Sequence, residues 1–207
     1  MEVVKLHLVL SLDMDEPLSF IDRFGSFEYV KVGHNLASLG KSVFDELAKR
    51  NLKAILDLKF VDIPSTIARS IKAWDHPSIV GFTMHAAAGI ESVKAALEST
   101  EKLIFVVVKL TSIEGSLEDY ATQVESLRLL GCSFVLPGSW AMKLRKKISG
   151  KILVPGVRME RGADDQKDVV SLEQIKKVAD FAVIGREVYK SQDPKATMEK
   201  MRRFVHA

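Results

Sequence analysis

The sequence predicts an α/β fold, a single-domain (β/α)₈ barrel of the TIM type that spans residues 1–207. Short apolar runs typical of buried strands recur along the chain. Between them lie stretches whose apolar residues are three or four positions apart, the spacing of a helix with one face on a core. Charged and polar residues gather where the apolar runs end. Together these observations favour a closed parallel barrel with its helices outside.

The predicted strands are nearly continuous apolar runs, as expected when both faces of a parallel sheet are covered. There are eight of them, at residues 6–12, 29–33, 54–58, 79–85, 103–109, 134–137, 152–155 and 181–185. Eight strand–helix units predict a closed barrel, although 207 residues is short for one. An open doubly wound sheet is the alternative. It is weakened because no G-x-G-x-x-G motif follows the first strand.

The predicted helices are recognised by their apolar spacing. The clearest sets are Val43, Phe44 and Leu47; Ile67, Ile71 and Trp74; Tyr120, Val124 and Leu127; and Leu172, Ile175 and Val178. Each set places its apolar side chains on one face of a helix, which can then pack against the sheet.

The amino-acid composition argues against several classes of protein. The chain has 30 basic and 27 acidic residues, an excess too small to predict a nucleic-acid partner. Its single cysteine, Cys132, excludes an intramolecular disulfide, and no signal-like segment occurs at the N-terminus. No apolar stretch approaches the roughly 20 residues that cross a bilayer, so no membrane association is predicted. We therefore expect a cytoplasmic protein.

Polar residues lie at the carboxyl ends of the first five predicted strands. They are Asp13, Lys31 with Gly33, Asp57 with Lys59, His85, and Thr111 with Ser112. In a barrel these strand ends converge on one mouth, where the active sites of this fold are built.

The stretch from Asp57 to Pro64 carries the densest charge pattern. Alternation along a strand points Asp57 and Lys59 to the same side, so two opposite charges enter one site. Asp62 follows in the loop, and Pro64 keeps the residue before it out of helical geometry, with a helix expected from residue 65 or 66. A structural ion pair at the strand end is the alternative interpretation of this motif alone.

The last third of the chain has the pattern of an anion site. Arg158 follows the seventh predicted strand in Pro155-Gly156-Val157-Arg158, and Arg186 follows the eighth directly after Gly185. In barrels the loops after these two strands commonly bind phosphate, and arginine adds bidentate contacts. Two solvated surface arginines are the alternative. The long polar segment 158–168 is plausible as a closing lid.

Three motifs together resemble a known family over nearly the whole chain. They are Asp57-x-Lys59-x-x-Asp62-Ile63-Pro64, Lys31-x-Gly33 upstream, and the pair Pro155-Gly156-Val157-Arg158 and Ile184-Gly185-Arg186 downstream. The family is orotidine 5′-phosphate decarboxylase. The first motif is shared with 3-keto-L-gulonate 6-phosphate decarboxylase and hexulose 6-phosphate synthase. Those sugar-phosphate enzymes resemble one another in an acidic residue at the position of Lys31 and in Ala-Gly at that of Ile63-Pro64.

The resemblance implies decarboxylation of orotidine 5′-monophosphate to uridine 5′-monophosphate, the final step of de novo UMP synthesis. It implies a homodimeric barrel without metal or organic cofactor. Lys31, Asp57, Lys59 and Asp62 would form an alternating charge network, with Asp62 donated across the dimer interface. Lys59 would stabilise and protonate a carbanion at C6.

The same resemblance assigns the binding residues. Asp13 and Lys31 would contact the ribose hydroxyls, and Thr111 the pyrimidine edge. Ile63 would line the neighbouring pyrimidine pocket, and Thr66 would reach the neighbouring ribose. The phosphate side and lid would use Pro155, Arg158, Gln166, Gly185 and Arg186. Gln166 is preferred to Glu160 as the lid contact, because a carboxylate would repel phosphate.

Two other functions remain open from the sequence. One is a sugar-phosphate lyase on the same barrel, which would be expected to require Mg²⁺. The other is a catalytically silent barrel that binds a nucleotide as a sensor, against which the intact charge network argues. The five histidines show no paired ligand spacing, so no protein metal site is predicted.

Overall fold

Eight parallel strands close into a barrel in the computed structural model, which describes residues 5–110, 112–159 and 170–206. The barrel strands are β1 (His7–Ser11), β2 (Tyr29–Val32), β3 (Lys53–Phe60), β4 (Ile79–His85), β5 (Leu103–Val107), β6 (Ser133–Val135), β7 (Ile152–Val154) and β10 (Phe181–Ile184). Each pairs with its sequence neighbours around the ring, and β1 pairs with both β2 and β10. The closed barrel is therefore confirmed, and the open sheet is wrong.

Two short strands were not predicted. They are β8 (Val157–Arg158) and β9 (Val170–Ser171), which pair in parallel as a separate two-stranded sheet. Both are too short for a periodic apolar pattern, so the sequence held no signal for them. The pair lies in the connection between β7 and β10, and β8 contains Arg158 of the first predicted anion loop.

The helices include the four that the apolar spacing predicts, although Trp74, Tyr120 and Val178 lie outside the helix bounds. They are α1 (Pro17–Phe24), α2 (Leu36–Leu39), α3 (Val43–Lys49), α4 (Pro64–Ala73), α5 (Ile90–Glu98), α6 (Ala121–Arg128), α7 (Gly138–Leu144), α8 (Leu172–Ile175), α9 (Arg186–Tyr189) and α10 (Pro194–His206). Helix α4 starts at Pro64, one or two residues earlier than predicted, because proline fits the first helical turn. Within the described ranges no helix has the length and apolarity to cross a membrane.

The core has two layers. Inside the barrel, a cluster of buried side chains fills the space between the strands: Val9, Ile55, Phe105, Leu153, Phe181 and Val183. A larger layer fills the space between strands and helices, and it includes the fully buried Phe44, Phe82 and Phe134. Because its centre is packed with side chains, the barrel is not a pore, and space for a ligand is left at its carboxyl end.

Cys132 belongs to the outer layer. It is buried, its Sγ–H donates to the Leu127 carbonyl oxygen at 3.3 Å, and burial raises the pKa of the thiol to about 12. A thiol that stays protonated and covered is a packing group rather than a nucleophile.

Candidate active site

A cavity of about 350 Å³ opens at the carboxyl ends of the barrel strands. Its wall brings together most of the predicted site residues: Asp13, Lys31, Asp57, Lys59, Pro155, Arg158, Gly185 and Arg186. Ser112, from the loop after β5, also lines it. The convergence of polar strand ends on one mouth therefore matches the geometry expected for this fold.

Asp57 is the centre of the charge network. Its Oδ1 accepts hydrogen bonds from Lys59 Nζ at 2.9 Å and from Thr83 Oγ1 at 2.8 Å. Its Oδ2 lies 3.0 Å from Lys31 Nζ, which is also 3.2 Å from Asp13 Oδ2. The order is thus carboxylate, ammonium, carboxylate, ammonium, so each ammonium has a carboxylate beside it.

Burial and charge act in opposite directions on this network. Burial alone would raise the pKa of Asp57, but Lys31 and Lys59 outweigh it, so the pKa of this carboxyl lies below its ordinary value. Burial likewise disfavours charge on Lys31, yet Asp57 and then Asp13 raise the pKa of that ammonium. At neutral pH, Asp57 and Lys31 are therefore both ionised.

The lowered pKa of Asp57 predicts a pH dependence of stability. A depressed carboxyl pKa contributes stability that is complete above the unfolded value of about 3.9 and is lost as pH falls through the folded value. We expect wild type to lose free energy of unfolding more steeply than Asp57→Asn as pH drops below about 4. Urea unfolding of both proteins between about pH 3 and pH 6 tests this. Parallel curves would show that Asp57 ionisation does not stabilise the fold.

The backbone at Lys59 departs from a regular strand. Its φ is +50°, a left-handed conformation that is uncommon for a residue with a side chain. The pairing of β3 with β4 also shifts register between Leu56 and Phe60. The predicted meeting of the Asp57 and Lys59 side chains is observed, but it arises through this bulge rather than through plain strand alternation.

The first and second strands build the Asp13 side of the site. Ser11 Oγ donates to Asp13 Oδ2 at 2.6 Å, and Lys31 Nζ reaches the same carboxylate. Gly33 leaves the room that this arrangement needs. A Cβ there would lie 3.0 Å from Asp13 Oδ1 and 3.4 Å from Lys31 Nζ, so a side chain would press on the network.

The predicted anion-binding residues lie after the carboxyl ends of β7 and β10. Arg186 is exposed at the start of α9, and Arg158 is partly buried in β8. The Glu187 carboxylate accepts the Met159 N–H at 3.0 and 3.2 Å through its two oxygens. Glu187 therefore ties the chain after β8 to the start of α9, which brings the two arginine-bearing segments to one wall.

Three predicted site residues lie outside this chain's cavity. Asp62 and Ile63 are exposed and Thr66 is partly exposed, on the loop after β3 and the first turn of α4. The Asp62 Oδ1 accepts the Ile63 N–H at 2.7 Å, and Ile63 exposes 63% of its surface. Thr111, Gln166 and Glu160 lie outside the described residues.

Sequence reasoning missed several residues of the cavity wall. Thr83 lies in β4 and Lys109 two residues after β5, each within a run that is otherwise apolar, and Glu187 and Tyr189 lie beyond the Arg186 motif. The buried Lys109 donates from Nζ to the Ile113 carbonyl oxygen at 2.7 Å. A polar residue inside an apolar strand was the signal available for Thr83 and Lys109, because a buried polar group needs a partner.

His85 closes β4 but is absent from the cavity wall. Its Nδ1 accepts the Ala87 N–H at 3.1 Å, which caps the turn after the strand. Elsewhere among residues 5–110, 112–159 and 170–206, no three or more His, Cys, Asp or Glu side chains are grouped so that they could hold a metal ion.

The fold and site define a class: a parallel barrel whose carboxyl mouth holds an ordered lysine–aspartate–lysine network beside two arginines. The model of the "Orotidine 5'-phosphate decarboxylase / HUMPS family" matches residues 6–201. The chain belongs to this family.

Individual relatives agree with the family assignment. The orotidine 5′-phosphate decarboxylase of Thermotoga maritima is 66% identical over 194 residues, covering 94% of this chain and 96% of the relative. The Wolbachia pipientis enzyme of the same name is 34% identical over 211 residues, covering 90% and 92%. The crystal structure of the Thermotoga maritima enzyme superposes with a TM-score of 0.89 at 62% identity, covering 95% and 98% of the two chains. That of the Lactobacillus acidophilus enzyme, at 24% identity and a TM-score of 0.79, shares the fold.

Proposed function

We propose that this protein is an orotidine 5′-phosphate decarboxylase that converts orotidine 5′-monophosphate to uridine 5′-monophosphate. The observation that carries the proposal is the Lys31–Asp57–Lys59 network inside a cavity whose wall also includes Arg158 and Arg186. The 66% identical relative of that name supports the same substrate. The reaction would be the final step of de novo UMP synthesis, carried out in the cytoplasm by one barrel domain.

The chemistry requires a cation beside C6 of the pyrimidine. Breaking the bond between C6 and the carboxylate leaves an electron pair at C6 that cannot delocalise into the ring carbonyls. The Lys59 ammonium stabilises this negative charge as it forms and then donates a proton to C6, which yields the product and CO₂. The neutral amine of Lys59 recovers its proton from solvent. These proposed reaction steps require no metal or organic cofactor.

Asp57 holds the two ammonium groups in place for this step. It lies 2.9 Å from Lys59 Nζ and 3.0 Å from Lys31 Nζ, and it raises the pKa of Lys31. Its carboxylate would also lie near the substrate carboxylate, and like-charge proximity would disfavour the ground state. We rank the electrostatic role of Lys59 first, because it acts on the charge that develops in the transition state.

The other predicted site residues would bind the substrate. Asp13 and Lys31 would hold the ribose hydroxyls, and Thr111 the pyrimidine edge. The phosphate would be held by Arg158, Arg186 and the Gly185 N–H, with Pro155 beside the ligand and Gln166 bridging base and phosphate. Phosphate binding far from C6 can contribute to catalysis by fixing the substrate in place.

The active unit would be a homodimer in which each chain completes its neighbour's site. Asp62, Ile63 and Thr66 lie outside their own chain's cavity, where they are available to a partner. Val61 and Ile63 expose 57% and 63% of their surfaces beside Asp62, and this apolar pair would be covered in such a dimer.

Ultraviolet absorbance of orotidine 5′-monophosphate mixed with purified protein in EDTA tests the proposal. Rapid conversion to uridine 5′-monophosphate is expected. No conversion, combined with turnover of sugar phosphates once Mg²⁺ is restored, would favour the lyase branch instead. Lys31 and Ile63-Pro64, which differ from the residues of that branch, argue against this outcome.

Arg186→Ala is expected to raise KM and to lower kcat/KM by about 10- to 100-fold, because a charge-assisted contact to the phosphate is lost. Steady-state kinetics on both proteins measure the effect. Arg203→Ala is the matched control, since that side chain is 84% exposed on α10 and its Nη2 lies 3.8 Å from Glu199 Oε2. Unchanged kinetics in Arg186→Ala would identify it as a surface arginine.

A further inference from the structure

Thr83 lies in the middle of β4 with only 1% of its surface exposed, yet its hydroxyl contacts two parts of the charge network. Its Oγ1 accepts the backbone N–H of Lys59 at 3.0 Å and donates to Asp57 Oδ1 at 2.8 Å. The directions are fixed by the groups involved. A backbone N–H can only donate, so the single O–H of the threonine is left for the carboxylate.

The backbone that Thr83 holds is strained. Leu56 is paired with Phe82 and Phe60 with Met84, so four steps along β3 match two steps along β4. Lys59 lies inside this bulge with φ +50°. A non-glycine residue keeps such a conformation only where its surroundings enforce it, and bulges beside active sites redirect side chains.

We propose that Thr83 is a positioning residue, which holds the bulge so that the Lys59 ammonium enters the cavity and which fixes the Asp57 oxygen that this ammonium contacts. The inference rests on the proposed function for its kinetic consequences. Thr83 does not need to touch the substrate for this role. Its branched Cβ suits it, since a stiff side chain holds the hydroxyl in one place.

Removing the Thr83 hydroxyl should displace the Lys59 backbone and so lower the catalytic rate. The Lys59 N–H would lose its acceptor in a partly buried place, which removes a reason for the chain to stay in the left-handed conformation. Asp57 Oδ1 would keep only its contact with Lys59. A displacement of about 1 Å at a reacting group can cost 10²-fold in rate, whereas the phosphate contacts lie on other loops. The expected effect is therefore on kcat rather than on KM.

The test compares Thr83→Val and Thr83→Ala with Thr83→Ser, all assayed well below their unfolding temperatures. We expect the first two to lose about 10- to 100-fold in kcat with KM changed by less than about 3-fold, and serine to restore kcat to within about 3-fold of wild type. Two variants that lack the hydroxyl are compared, so that poor folding of one leaves the other as the test.

Ser78→Ala is the matched control. Ser78 lies directly before β4, is 5% exposed, and donates from Oγ to the Phe44 carbonyl oxygen at 3.2 Å, outside the cavity wall. This variant should lose thermal stability without losing kcat. Unchanged kcat in the valine and alanine variants, an equal loss in the serine variant, or the same loss in Ser78→Ala would each overturn the positioning role.

A crystal structure of Thr83→Ala gives a readout that does not depend on activity. We expect Lys59 to leave its positive φ and its Nζ to move away from Asp57 Oδ1. An unchanged bulge and ion pair would overturn the inference even if wild type failed to decarboxylate the substrate, an outcome that would count against the proposed function alone.

Discussion

Replacing Lys59 by alanine is expected to lower kcat by about 10³-fold or more, because one group supplies both the charge that meets the C6 carbanion and the proton that quenches it. The barrel should remain folded. The Lys59 side chain is 31% exposed at the cavity wall and is not part of the core. Without it, Asp57 still accepts from Thr83 and remains beside Lys31. Steady-state kinetics and thermal unfolding of the variant measure both expectations.

Lys53→Ala is the matched control for that experiment. Lys53 begins the same strand, at the opposite end of the barrel, and its Nζ forms an ion pair of 2.7 Å with Glu28 Oε1. Its side chain is 47% exposed, so the same chemical change there should leave kcat intact. Comparable activity in Lys59→Ala and Lys53→Ala would contradict the catalytic assignment of Lys59.

The predictable part of the fold follows from strong local signals. The run before Asp57 is apolar because β3 is buried between the barrel interior and the helices, with Ile55 facing inward and Leu56 outward. The same alternation explains the other strands. Pro64 also marked the start of α4 to within two residues, since proline is compatible with few backbone positions.

The site was less predictable, because its geometry depends on contacts between distant parts of the chain. Asp57 and Thr83 are 26 residues apart, and nothing local to either indicates that they share a hydrogen bond. The bulge at Lys59 likewise depends on how β3 pairs with β4. Strand periodicity alone predicts the side on which a residue lies but not its backbone conformation.

Asp62 shows a second limit of what the sequence can predict about the site. The motif places it three residues after Lys59, and adjacency in sequence suggests one shared site. In the structure it lies outside the cavity that contains Lys31, Asp57 and Lys59. Its oxygen Oδ1 instead accepts the backbone N–H of Ile63. A single chain therefore accounts for three members of the proposed four-residue network, and in the proposed homodimer the fourth would come from the second chain.

This arrangement predicts that two inactive variants restore each other. Lys59→Ala and Asp62→Ala should each be nearly inactive alone, the second by about 10²-fold or more, because each removes a charge from every site of its homodimer. A mixed dimer contains one chain of each variant, and its two sites are not equivalent. In one of its sites, Lys59 comes from the Asp62→Ala chain and Asp62 from the Lys59→Ala chain, so that site is intact, while the other site lacks both residues.

Random reassociation of equal amounts should therefore recover about a quarter of wild-type activity, since half of the dimers are mixed and each has one intact site of two. Refolding the mixture together and assaying the decarboxylation measures this recovery. Lys59→Ala mixed with Asp57→Asn is the control, because both residues belong to the same chain's cavity and no mixed dimer has an intact site. If the first mixture remained as inactive as its parents while the two chains exchanged, Asp62 would not act across an interface, and the charge network would end at Lys59.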